Sequence, residues 1–523
     1  MAGADLNESN MPVGNPPPPL FNMADYVVGR AARATPDRLA LMVYDDAYGA
    51  TPLETFTFAE VEQAVLNIAG GLERLGLVPG DRVLVRLDNT SAYAFTFFGA
   101  IAAGLVPLAT STHLSEPEAA FLVADSGARA IALAAHLPKP AGAALVIGAD
   151  DIARMISDGP RGAYRRTRAD DPAYMVYTSG TTANPKGVVH AQRAAWGRRP
   201  MYQGWYGITA DDRMLHAGAF NWTFTLGTGL TDPWANGATS IIYTGTRDSA
   251  LWPGLIRRSE ATLFAAVPGV FRQILKYADP AELADLAALR HGLTAGETAP
   301  EDLFADWRRA TGREIYEALG MSEISTYLSS APGVPHRAGT VGRVQPGRRI
   351  AILPEEGGET PLDAGAMGLL AVHRSDPGLM LGYWNRADEE AEVYRGEWFV
   401  GGDLASMDAE GYVTHHGRAN DIMKALGYRV APQEVEAVLA RHPQVAEVAC
   451  AERRVRADIS VIAAYVVAKD PAHPPAPDAL TTFAAQHLAP YKCPREVIFV
   501  AALPRTANGK VQRRQLAGTI SEK

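Results

Sequence analysis

Eleven consecutive residues, Tyr177 to Gly187, have side chains that could hold a phosphate group. Their sequence, YTSGTTANPKG, contains three threonines, one serine, two glycines and one lysine, and it follows the apolar run Tyr174 to Val176. Hydroxyl and backbone N–H groups donate hydrogen bonds to phosphate oxygens, glycines let the backbone approach closely, and lysine supplies positive charge. We therefore predict a phosphate-binding loop. Its predicted contact residues are Thr178, Ser179, Gly180, Thr181, Thr182 and Lys186.

This loop has two alternative interpretations, a plain surface turn and a different nucleotide-binding loop. A Ser/Thr-rich surface turn has a similar composition, and a short loop of this kind is most often nothing more. The nucleotide-binding pattern G-x-x-x-x-G-K-[ST] places its lysine after the second glycine, whereas Lys186 precedes Gly187. The residue order excludes that pattern, and the length of the ordered run favours phosphate binding over a plain turn.

The residues before the loop alternate between helical and strand-like patterns. Apolar residues recur at helical spacing from Val61 to Leu75, and Pro79-Gly80 ends that helix. The elements predicted after it are a strand at 82–87, a helix at 92–103, a strand at 106–109, a helix at 116–124 and a strand at 130–133. Helices that alternate with short apolar strands are typical of a mainly parallel sheet covered on both faces.

The C-terminal part has a different pattern. Its predicted elements are a helix at 432–441, strands near 445–450 and 459–467, a helix from about Asp478 and a strand at 496–500. This order predicts a small α+β unit. We therefore expect an α/β fold in which a large N-terminal domain with mainly parallel sheets is joined to a small, mobile α+β domain. The expected segments are a flexible arm at 1–20, the large domain at 21–418, a hinge at 419–424 and the small domain at 425–523.

Length, composition and charge narrow the class of protein. A chain of 523 residues is larger than one hydrophobic core usually supports, and it contains no apolar run long enough to cross a bilayer. The acidic start does not resemble a secretory signal, and two cysteines, Cys450 and Cys493, are too few for a disulfide framework. The net charge of -9 argues against a general nucleic-acid binder. We expect a cytoplasmic protein with neither a membrane nor a nucleic-acid partner.

The phosphate loop also resembles the signature of one enzyme family. YTSGTTANPKG matches the loop of the adenylate-forming superfamily, which contains acyl-CoA synthetases, aryl-CoA ligases, luciferases and the adenylation domains of peptide synthetases. Further motifs follow in the family's order from residue 177 to residue 510, so the resemblance covers most of the chain. It is strongest toward benzoate-CoA ligase-like and medium-chain acyl-CoA synthetase-like members. The resemblance implies an acid–thiol ligase that uses ATP, Mg²⁺ and coenzyme A and forms an acyl-AMP intermediate.

Two motifs of the large domain resemble the family's nucleotide and metal contacts. Leu319-Gly320-Met321-Ser322-Glu323 is similar to the motif YGxTE, which implies that Glu323 holds Mg²⁺ and that Ser322 contacts the α-phosphate. Leu319 and Gly320 then lie beside the adenine. Leu319 replaces an aromatic residue, a departure that the resemblance shares with benzoate-CoA ligase-like members. Ala295-Gly296-Glu297 resembles the turn that flanks the adenine on its other side.

The motifs near the expected hinge resemble ribose and coenzyme A contacts. Gly401-Gly402-Asp403 is similar to the GD motif, whose aspartate accepts hydrogen bonds from the ribose hydroxyls, and Arg418 matches the arginine that precedes the hinge. Asn420 falls on the hinge position itself, where members usually carry Asp or Lys. Lys424 and the segment Gly427-Tyr428-Arg429-Val430 resemble the part that builds the thioester-forming site, which implies that Gly427 and Tyr428 contact coenzyme A.

Two further lysines lie toward the C-terminus. Pro504 to Lys510 matches the motif P-x-T-x-x-G-K, which implies that Lys510 is catalytic in acyl-AMP formation. An ammonium group there would stabilise the two anions that meet when a carboxylate attacks the α-phosphate. Lys492, in Tyr491-Lys492-Cys493-Pro494, is the candidate contact for a coenzyme A phosphate. By resemblance, the small domain rotates so that Lys510 serves the first half-reaction and Lys424 serves the second.

The acid is predicted to bind around residues 216–227. Phe220, Trp222 and Phe224 could bound a small pocket that suits a short or flat acid, although alternating aromatic residues also occur in protein cores. The predicted substrate is a small aromatic, alicyclic or short- to medium-chain carboxylic acid. The predicted pocket residues are Phe220, Asn221, Trp222, Thr225, Gly227, Val267, Ala295 and Ala318.

Other functions of the same fold remain open at this point. A stand-alone enzyme could load a carrier protein, or adenylation could precede a luciferase-like oxidation. No carrier attachment motif follows Lys523, which favours coenzyme A as the acceptor. A non-catalytic regulator would have lost catalytic groups, whereas the chain keeps Lys186, Glu323 and Lys510. A homodimer is left open as the assembly.

Overall fold

The described residues form two compact units. The computed structural model describes residues 15–49, 51–178, 185–246, 248–421, 423–425, 428–456, 459–505 and 511–517. One unit lies within Met1–Arg349 and Val372–Glu397, and the other lies within Ile350–Ala371 and Trp398–Lys523. The sequence predicts a hinge at 419–424, which is a point of rotation and not a boundary between compact units. The hinge stays a prediction.

Strands and helices alternate along much of the chain, and the bounds given next cover both units. The strands are β1 Leu39–Tyr44, β2 Glu54–Thr57, β3 Arg82–Arg86, β4 Val106–Ala109, β5 Ala130–Leu133, β6 Leu145–Ile147, β7 Pro172–Thr178, β8 Lys186–Ala191, β9 Arg213–His216, β10 Thr239–Tyr243, β11 Leu263–Ala266, β12 His291–Ala295, β13 Glu314–Met321, β14 Ser325–Ser329, β15 Arg343–Val344, β16 Ile350–Leu353, β17 Met367–His373, β18 Gly382–Tyr383, β19 Tyr394–Arg395, β20 Trp398–Met407, β21 Val413–Arg418, β22 Met423–Ala425, β23 Tyr428–Val430, β24 Val445–Arg456, β25 Ile459–Ala468 and β26 Glu496–Phe499. The helices are α1 Arg30–Ala34, α2 Phe58–Arg74, α3 Ser91–Ala102, α4 Glu116–Ser126, α5 Ala149–Asp158, α6 Arg199–Met201, α7 Thr223–Leu226, α8 Asp232–Ala235, α9 Leu251–Ser259, α10 Pro268–Tyr277, α11 Pro280–Ala284, α12 Glu301–Thr311, α13 Ala387–Glu392, α14 Pro432–Leu439, α15 Pro477–Ala485 and α16 Arg513–Ala517.

Two large sheets dominate the first unit. A nine-stranded sheet has the order β15-β14-β13-β12-β11-β9-β10-β1-β2, and its strands from β13 to β1 are parallel. A seven-stranded sheet has the order β18-β8-β7-β4-β3-β5-β6, and its strands from β7 to β6 are parallel. Helices α3 and α4 connect successive parallel strands of the second sheet. The mainly parallel α/β fold predicted from the alternating pattern is therefore confirmed.

Local sequence explains where these elements begin and end. Helix α2 begins at a capping box, in which the Thr57 hydroxyl accepts a hydrogen bond from the Glu60 amide and the Glu60 carboxylate accepts one from the Thr57 amide. Strands β4 and β5 are buried along their whole length, as a strand covered on both faces requires. Both strands have the predicted bounds.

The predicted end of β24 was wrong. The apolar pattern predicts a strand at 445–450, whereas β24 continues to Arg456. Its polar extension, which includes Glu452 and Arg454, pairs with β25, and the pairing holds these residues in the strand although they do not contribute apolar side chains. Pairing between neighbouring strands decides this bound, and a single segment carries no signal for it.

The second unit contains the predicted α+β part. Strand β25 pairs antiparallel with β24 and parallel with β26, and α14 and α15 contribute to the same apolar core. Cys450 is buried in that core, and burial raises the pKa of its thiol, so it is a packing residue. Asn420 belongs to a short helical turn, Ala419–Asp421, directly after β21. Its role as a hinge remains a prediction.

The start of the described chain lies along the surface of the first unit. Residues 15–20 are mostly exposed, yet the carbonyl of Asn15 accepts a hydrogen bond from the Trp196 indole at 2.8 Å. The flexibility expected for residues 1–20 is untested. Among the described helices, none combines the length and apolarity needed to cross a membrane.

Candidate active site

Four neighbouring parallel strands end at one edge of the nine-stranded sheet. They are β9, β11, β12 and β13, and the carboxyl edge of such a sheet is where ligands bind in open α/β folds. Val267 follows β11, Ala295 ends β12, and Ala318 pairs with Ala295 from β13. The other predicted pocket residues lie in the segment after β9. They are Phe220, Asn221, Trp222, Thr225 and Gly227. The fold thus gathers the predicted acyl-pocket residues at one edge, and their contact with an acid stays a prediction.

Trp222 lies directly on the turn predicted to flank the adenine. The backbone φ of Gly296 is +96°, and a Cβ atom added there would overlap the Trp222 indole. Trp222 also meets Phe224 edge to face, with ring centroids 5.5 Å apart. Only glycine at position 296 allows this arrangement, because its conformation and the space beside it both exclude a side chain.

The segment before Trp222 is hydrogen-bonded to Asn89, which follows β3 of the seven-stranded sheet. The Asn89 side chain donates to the Gly218 carbonyl at 2.8 Å and accepts from the Phe220 amide at 3.0 Å. Phe220 is buried against Tyr93, with ring centroids 5.2 Å apart. Thr225 is fully buried as well. Phe220 and Thr225 therefore contribute to packing, whereas Asn221 and Trp222 are only partly buried.

His216 begins the segment predicted to bind the acid, although it was not among the predicted pocket residues. It is the last residue of β9, its Nδ1 accepts a hydrogen bond from the Gly218 amide at 2.8 Å, and its ring meets Phe224 edge to face at 4.5 Å. Its position at the carboxyl end of a central strand is the sequence signal that could have identified His216 as a site residue.

An open cleft of about 280 Å³ lies beside this segment. It lies between residues that follow β3 and β4 of one sheet and residues at the end of β10 of the other, so both parallel sheets contribute their carboxyl ends. Its lining residues are Leu87, Asp88, Asn89, Thr110, Ser111, Thr112, His113, Ala219, Asn221, Tyr243, Thr244 and Gly245.

The predicted phosphate loop connects two antiparallel strands. β7 ends at Thr178 and β8 begins at Lys186, and these two residues pair in register. Ser179, Gly180, Thr181 and Thr182 lie outside the described residues. The hydroxyl of Tyr177, one residue before the strand end, donates to the Asp125 carboxylate at 2.8 Å.

Lys186 is largely buried beside acidic and aromatic groups. Its side chain is 15% exposed, its ammonium forms an ion pair with Glu389, and it lies 5.2 Å from the centroid of the Tyr383 ring. Glu389 is 3.6 Å from Arg386, which forms an ion pair with Asp125 at 2.7 Å. Lys186 therefore meets a carboxylate of α13 where the resemblance implies a phosphate.

Glu323 lies in a turn that is held from several directions. The Tyr383 hydroxyl donates to its carboxylate at 2.8 Å, and the Met380 amide donates to its carbonyl at 2.7 Å. His190 lies 2.9 Å from the carbonyl of Ser322. Burial lowers the pKa of His190 to about 4, so its ring is neutral near pH 7 and Nε2 carries the hydrogen that it donates to that carbonyl.

The surroundings of Glu323 fit a magnesium ion. Mg²⁺ is usually held by one or two carboxylates together with phosphate oxygens and water. Among the described residues there is no cluster of three or more His, Cys, Asp or Glu side chains suited to a metal. Glu323 is a single half-buried carboxylate, and its hydrogen-bond partner Tyr383 also lies beside Lys186, which matches the smaller donor set.

The predicted adenine contacts lie on β12, β13 and the turn after β12. Leu319 and Gly320 belong to β13, and a Cβ atom added to Gly320 would overlap the backbone of Ser325 on the neighbouring strand. Ala295 is buried at the end of β12, and Glu297 is half-buried in the turn that follows.

Glu317, just before this motif, is a buried carboxyl group with a perturbed pKa. It is 4% exposed, its carboxylate accepts from the Ala299 amide at 2.8 Å, and burial raises its pKa to about 7. Between about pH 4.5 and 7 the carboxyl ionises in the unfolded chain before it does in the folded protein. The contribution of Glu317 to the free energy of unfolding therefore falls with rising pH and is constant above that range.

Glu317→Gln is expected to remove this pH dependence. The amide oxygen can still accept from Ala299, and the variant should be more stable than the parent protein at pH 8 by about 3 kcal/mol, with no such gain at pH 4. Thermal unfolding of both proteins across this range measures the effect. The exposed Glu73→Gln is the control, and an equal gain at pH 8 in both variants would refute the assignment to Glu317.

The second unit pairs the two predicted ribose contacts. Asp403 in β20 and Arg418 in β21 are partners across an antiparallel hairpin, which explains their separation in the sequence. Arg418 donates to the Asp403 carboxylate at 3.1 Å and to the Gly401 carbonyl at 2.7 Å. His415, which the residue pattern did not single out, contacts the other Asp403 oxygen at 3.1 Å. The carboxylate is oriented by two cationic or polar partners of the same hairpin.

The predicted coenzyme A and catalytic lysine positions are described only in part. Lys492 donates to Glu434 at 2.5 Å, and this hydrogen bond raises the pKa of the lysine. Lys424 and Tyr428 belong to the short hairpin of β22 and β23. Gly427 and Lys510 lie outside the described residues. The roles assigned to these five residues stay predictions.

Sequence comparison decides the family. Residues 28–384 match the family model of AMP-binding enzymes, and residues 434–510 match the model of the AMP-binding enzyme C-terminal domain. The chain belongs to the AMP-binding enzyme family. The predicted membership in the adenylate-forming superfamily and the predicted enzyme class, an AMP-forming acid–thiol ligase, are confirmed.

Several similar members of this family are known. Benzoate–CoA ligase of Thauera aromatica is 33% identical over 531 residues, which cover 98% of each chain. The crystal structure of a benzoate CoA ligase from Burkholderia xenovorans LB400 is 28% identical, with a TM-score of 0.83 over 95% of this chain and 100% of that one. The anthranilate CoA ligase AuaEII in complex with anthranoyl-AMP is 26% identical, with a TM-score of 0.85 over 96% of this chain and 98% of that one.

Proposed function

We propose that this AMP-binding enzyme joins a small, flat carboxylic acid to coenzyme A, with ATP as the energy source and Mg²⁺ as the cofactor. The observation that carries the proposal is the packing of Trp222 on Gly296. It sets the segment predicted to bind the acid directly against the turn predicted to flank the nucleotide. An acid that lay along the indole would meet the nucleotide at this contact.

The chemistry requires two steps because a carboxylate is a poor acyl donor. In the first, a carboxylate oxygen attacks the α-phosphorus of ATP and pyrophosphate leaves; in the second, the coenzyme A thiol attacks the acyl carbonyl carbon and AMP leaves. We assign Lys186 to the phosphates, Lys510 to the charge that develops in the first step and Lys424 to the second step. Mg²⁺, held by Glu323, would supply charge neutralisation on the phosphates.

The contacts of Lys186 support its role in phosphate binding. An ion pair with Glu389 orients the ammonium in a site where only 15% of the side chain is exposed. Phosphate oxygens would replace Glu389 as the partner, because an incoming triphosphate carries more negative charge than one carboxylate.

The aromatic lining favours an aromatic or alicyclic acid over a long-chain one. Trp222 and Phe224 meet edge to face, which leaves a bounded, rigid wall. The named benzoate and anthranilate ligases act on flat acids of this kind, and their similarity supports the same class here. We propose a benzoate-like or similarly sized alicyclic acid, with short- and medium-chain acids as weaker substrates.

A panel of acids tests the proposal. AMP release and repeated turnover are expected only when ATP, an acid and coenzyme A are all present, whereas the first step alone should release pyrophosphate without coenzyme A. Benzoate-sized acids should be turned over fastest among aromatic, alicyclic and three- to eight-carbon linear acids. Turnover with a carrier protein but none with coenzyme A would establish the alternative acceptor. Trp222→Ala should widen the pocket and shift the ratio of kcat/KM values toward bulkier acids by about tenfold.

The control for the pocket is an aromatic residue elsewhere in the first unit. Tyr277→Ala removes an exposed ring at the end of α10 and should leave the acid preference unchanged. If Trp222→Ala keeps the acid preference of the parent enzyme, Trp222 does not line the acyl pocket.

A further inference from the structure

A buried ion pair lies beside the acyl segment. The Arg198 guanidinium makes two hydrogen bonds with the Asp232 carboxylate, at 2.7 and 2.6 Å, and the two side chains are 5% and 0% exposed. The Tyr206 hydroxyl donates to the same carboxylate at 2.7 Å. A buried pair of this kind costs desolvation energy when it forms, and it holds its groups in one geometry because breaking it would leave a buried charge.

The pair touches the predicted acyl segment through Gly227. A Cβ atom added to Gly227 would overlap the guanidinium of Arg198, so glycine leaves room for the arginine to cross this segment. Asp232 follows the wide helical turn that begins at Gly227. The position of the guanidinium is therefore fixed relative to the acyl segment.

The same guanidinium reaches the motif that contains Glu323. Its Nη1 donates to the Ser325 hydroxyl at 2.5 Å, two residues after Glu323. The φ of Ser325 is +78°, a conformation that residues other than glycine, asparagine and aspartate seldom adopt. Such a backbone conformation persists only where the surroundings hold it in place.

A second buried arginine secures the neighbouring residues. Arg348 forms an ion pair with Asp376 at 2.8 Å, and the two side chains are 1% and 4% exposed. Its guanidinium also donates to the carbonyls of Thr326, at 3.1 Å, and Gly197, at 3.0 Å. Arg198 thus contacts Ser325, and Arg348 contacts the next residue, Thr326. Arg348 also contacts Gly197, the residue before Arg198, so the two arginines are linked through the backbone.

We infer that Arg198 and Arg348 are positioning residues that set the Glu323 turn in place relative to the acyl segment before nucleotide and acid bind. The inference rests on the proposed function in one respect, the role of Glu323 as the Mg²⁺ carboxylate. A carboxylate held in advance binds a metal ion more tightly, because its orientation need not be fixed at the moment of binding. Forming two buried ion pairs in one small region costs desolvation energy, and a fixed orientation of the Glu323 turn is the function that we infer for them.

Ser325→Ala tests the inference without breaking either ion pair. The variant loses one hydrogen bond from Arg198, and the amides from Ser322 to Thr326 should exchange hydrogen for deuterium about tenfold faster than in the parent protein. The Mg²⁺ concentration for half-maximal acyl-AMP formation should rise about tenfold, a typical effect of losing a contact behind a metal ligand. The KM for the acid and the unfolding temperature should change little.

Ser259→Ala is the matched control. Ser259 lies in α9, is fully buried, and its hydroxyl donates to the Leu255 carbonyl of the same helix at 2.7 Å. It should leave both the exchange at residues 322–326 and the Mg²⁺ dependence unchanged.

Two results would overturn the inference: parental exchange rates in Ser325→Ala, or equal acceleration in both variants. The exchange measurement needs no substrate, so it decides the positioning role even if the parent enzyme forms no acyl-AMP. A parent enzyme that forms no acyl-AMP would refute the proposed function and would leave the positioning role to be decided by the exchange rates.

Discussion

Glu323→Gln is expected to lower the rate of acyl-AMP formation by about 10²- to 10³-fold, the usual cost of removing one strong electrostatic contact to a reacting group. The glutamine keeps an oxygen that can accept the hydrogen bond from Tyr383, which is 2.8 Å long in the parent protein, so the turn should retain its conformation. Only the negative charge that would hold Mg²⁺ is lost. Pyrophosphate release at saturating ATP and acid, measured across a range of Mg²⁺ concentrations, follows the effect.

The matched control for this substitution is Glu73→Gln, an exposed carboxylate at the end of α2. It should retain the parental rate at every Mg²⁺ concentration. A loss of less than tenfold in Glu323→Gln, or full recovery at high Mg²⁺ with no change in kcat, would show that the charge of Glu323 matters less than its hydrogen bonds.

Lys510→Ala is expected to remove acyl-AMP formation, with a loss of about 10³-fold or more, as for other cationic groups that stabilise phosphoryl transfer. The lysine is proposed to act only while the carboxylate displaces pyrophosphate, so thioester formation from supplied acyl-AMP should be largely retained. The two half-reactions are measured separately, the first by pyrophosphate release without coenzyme A and the second by thioester formation from synthetic acyl-AMP.

Two lysine variants of the second unit complete this experiment. Lys424→Ala should show the reverse pattern, with the second half-reaction lost and the first retained. Lys469→Ala removes an exposed ammonium after β25 and should leave both half-reactions intact. Equal loss of both half-reactions in Lys510→Ala would contradict the division of labour between the two lysines.

Much of the fold followed from local patterns. The fully apolar strands β4 and β5 could be predicted because burial on both faces selects an unbroken run of apolar residues. The polar end of β24 could not, since its conformation depends on its partner β25. Pairing between distant segments has no signature in either segment alone.

The candidate site divides in the same way. The sequence by itself determined the family and its reaction class, because glycines, hydroxyl residues and lysines in a fixed order identify a phosphate loop and its companion motifs from Thr178 to Lys510. Only the tertiary structure decided what surrounds these groups: Glu389 against Lys186, Tyr383 against Glu323, and the two buried arginines beside Ser325. The physical reason is that chemical identity is a property of a residue, whereas charge compensation, burial and orientation are properties of contacts between segments far apart in the chain.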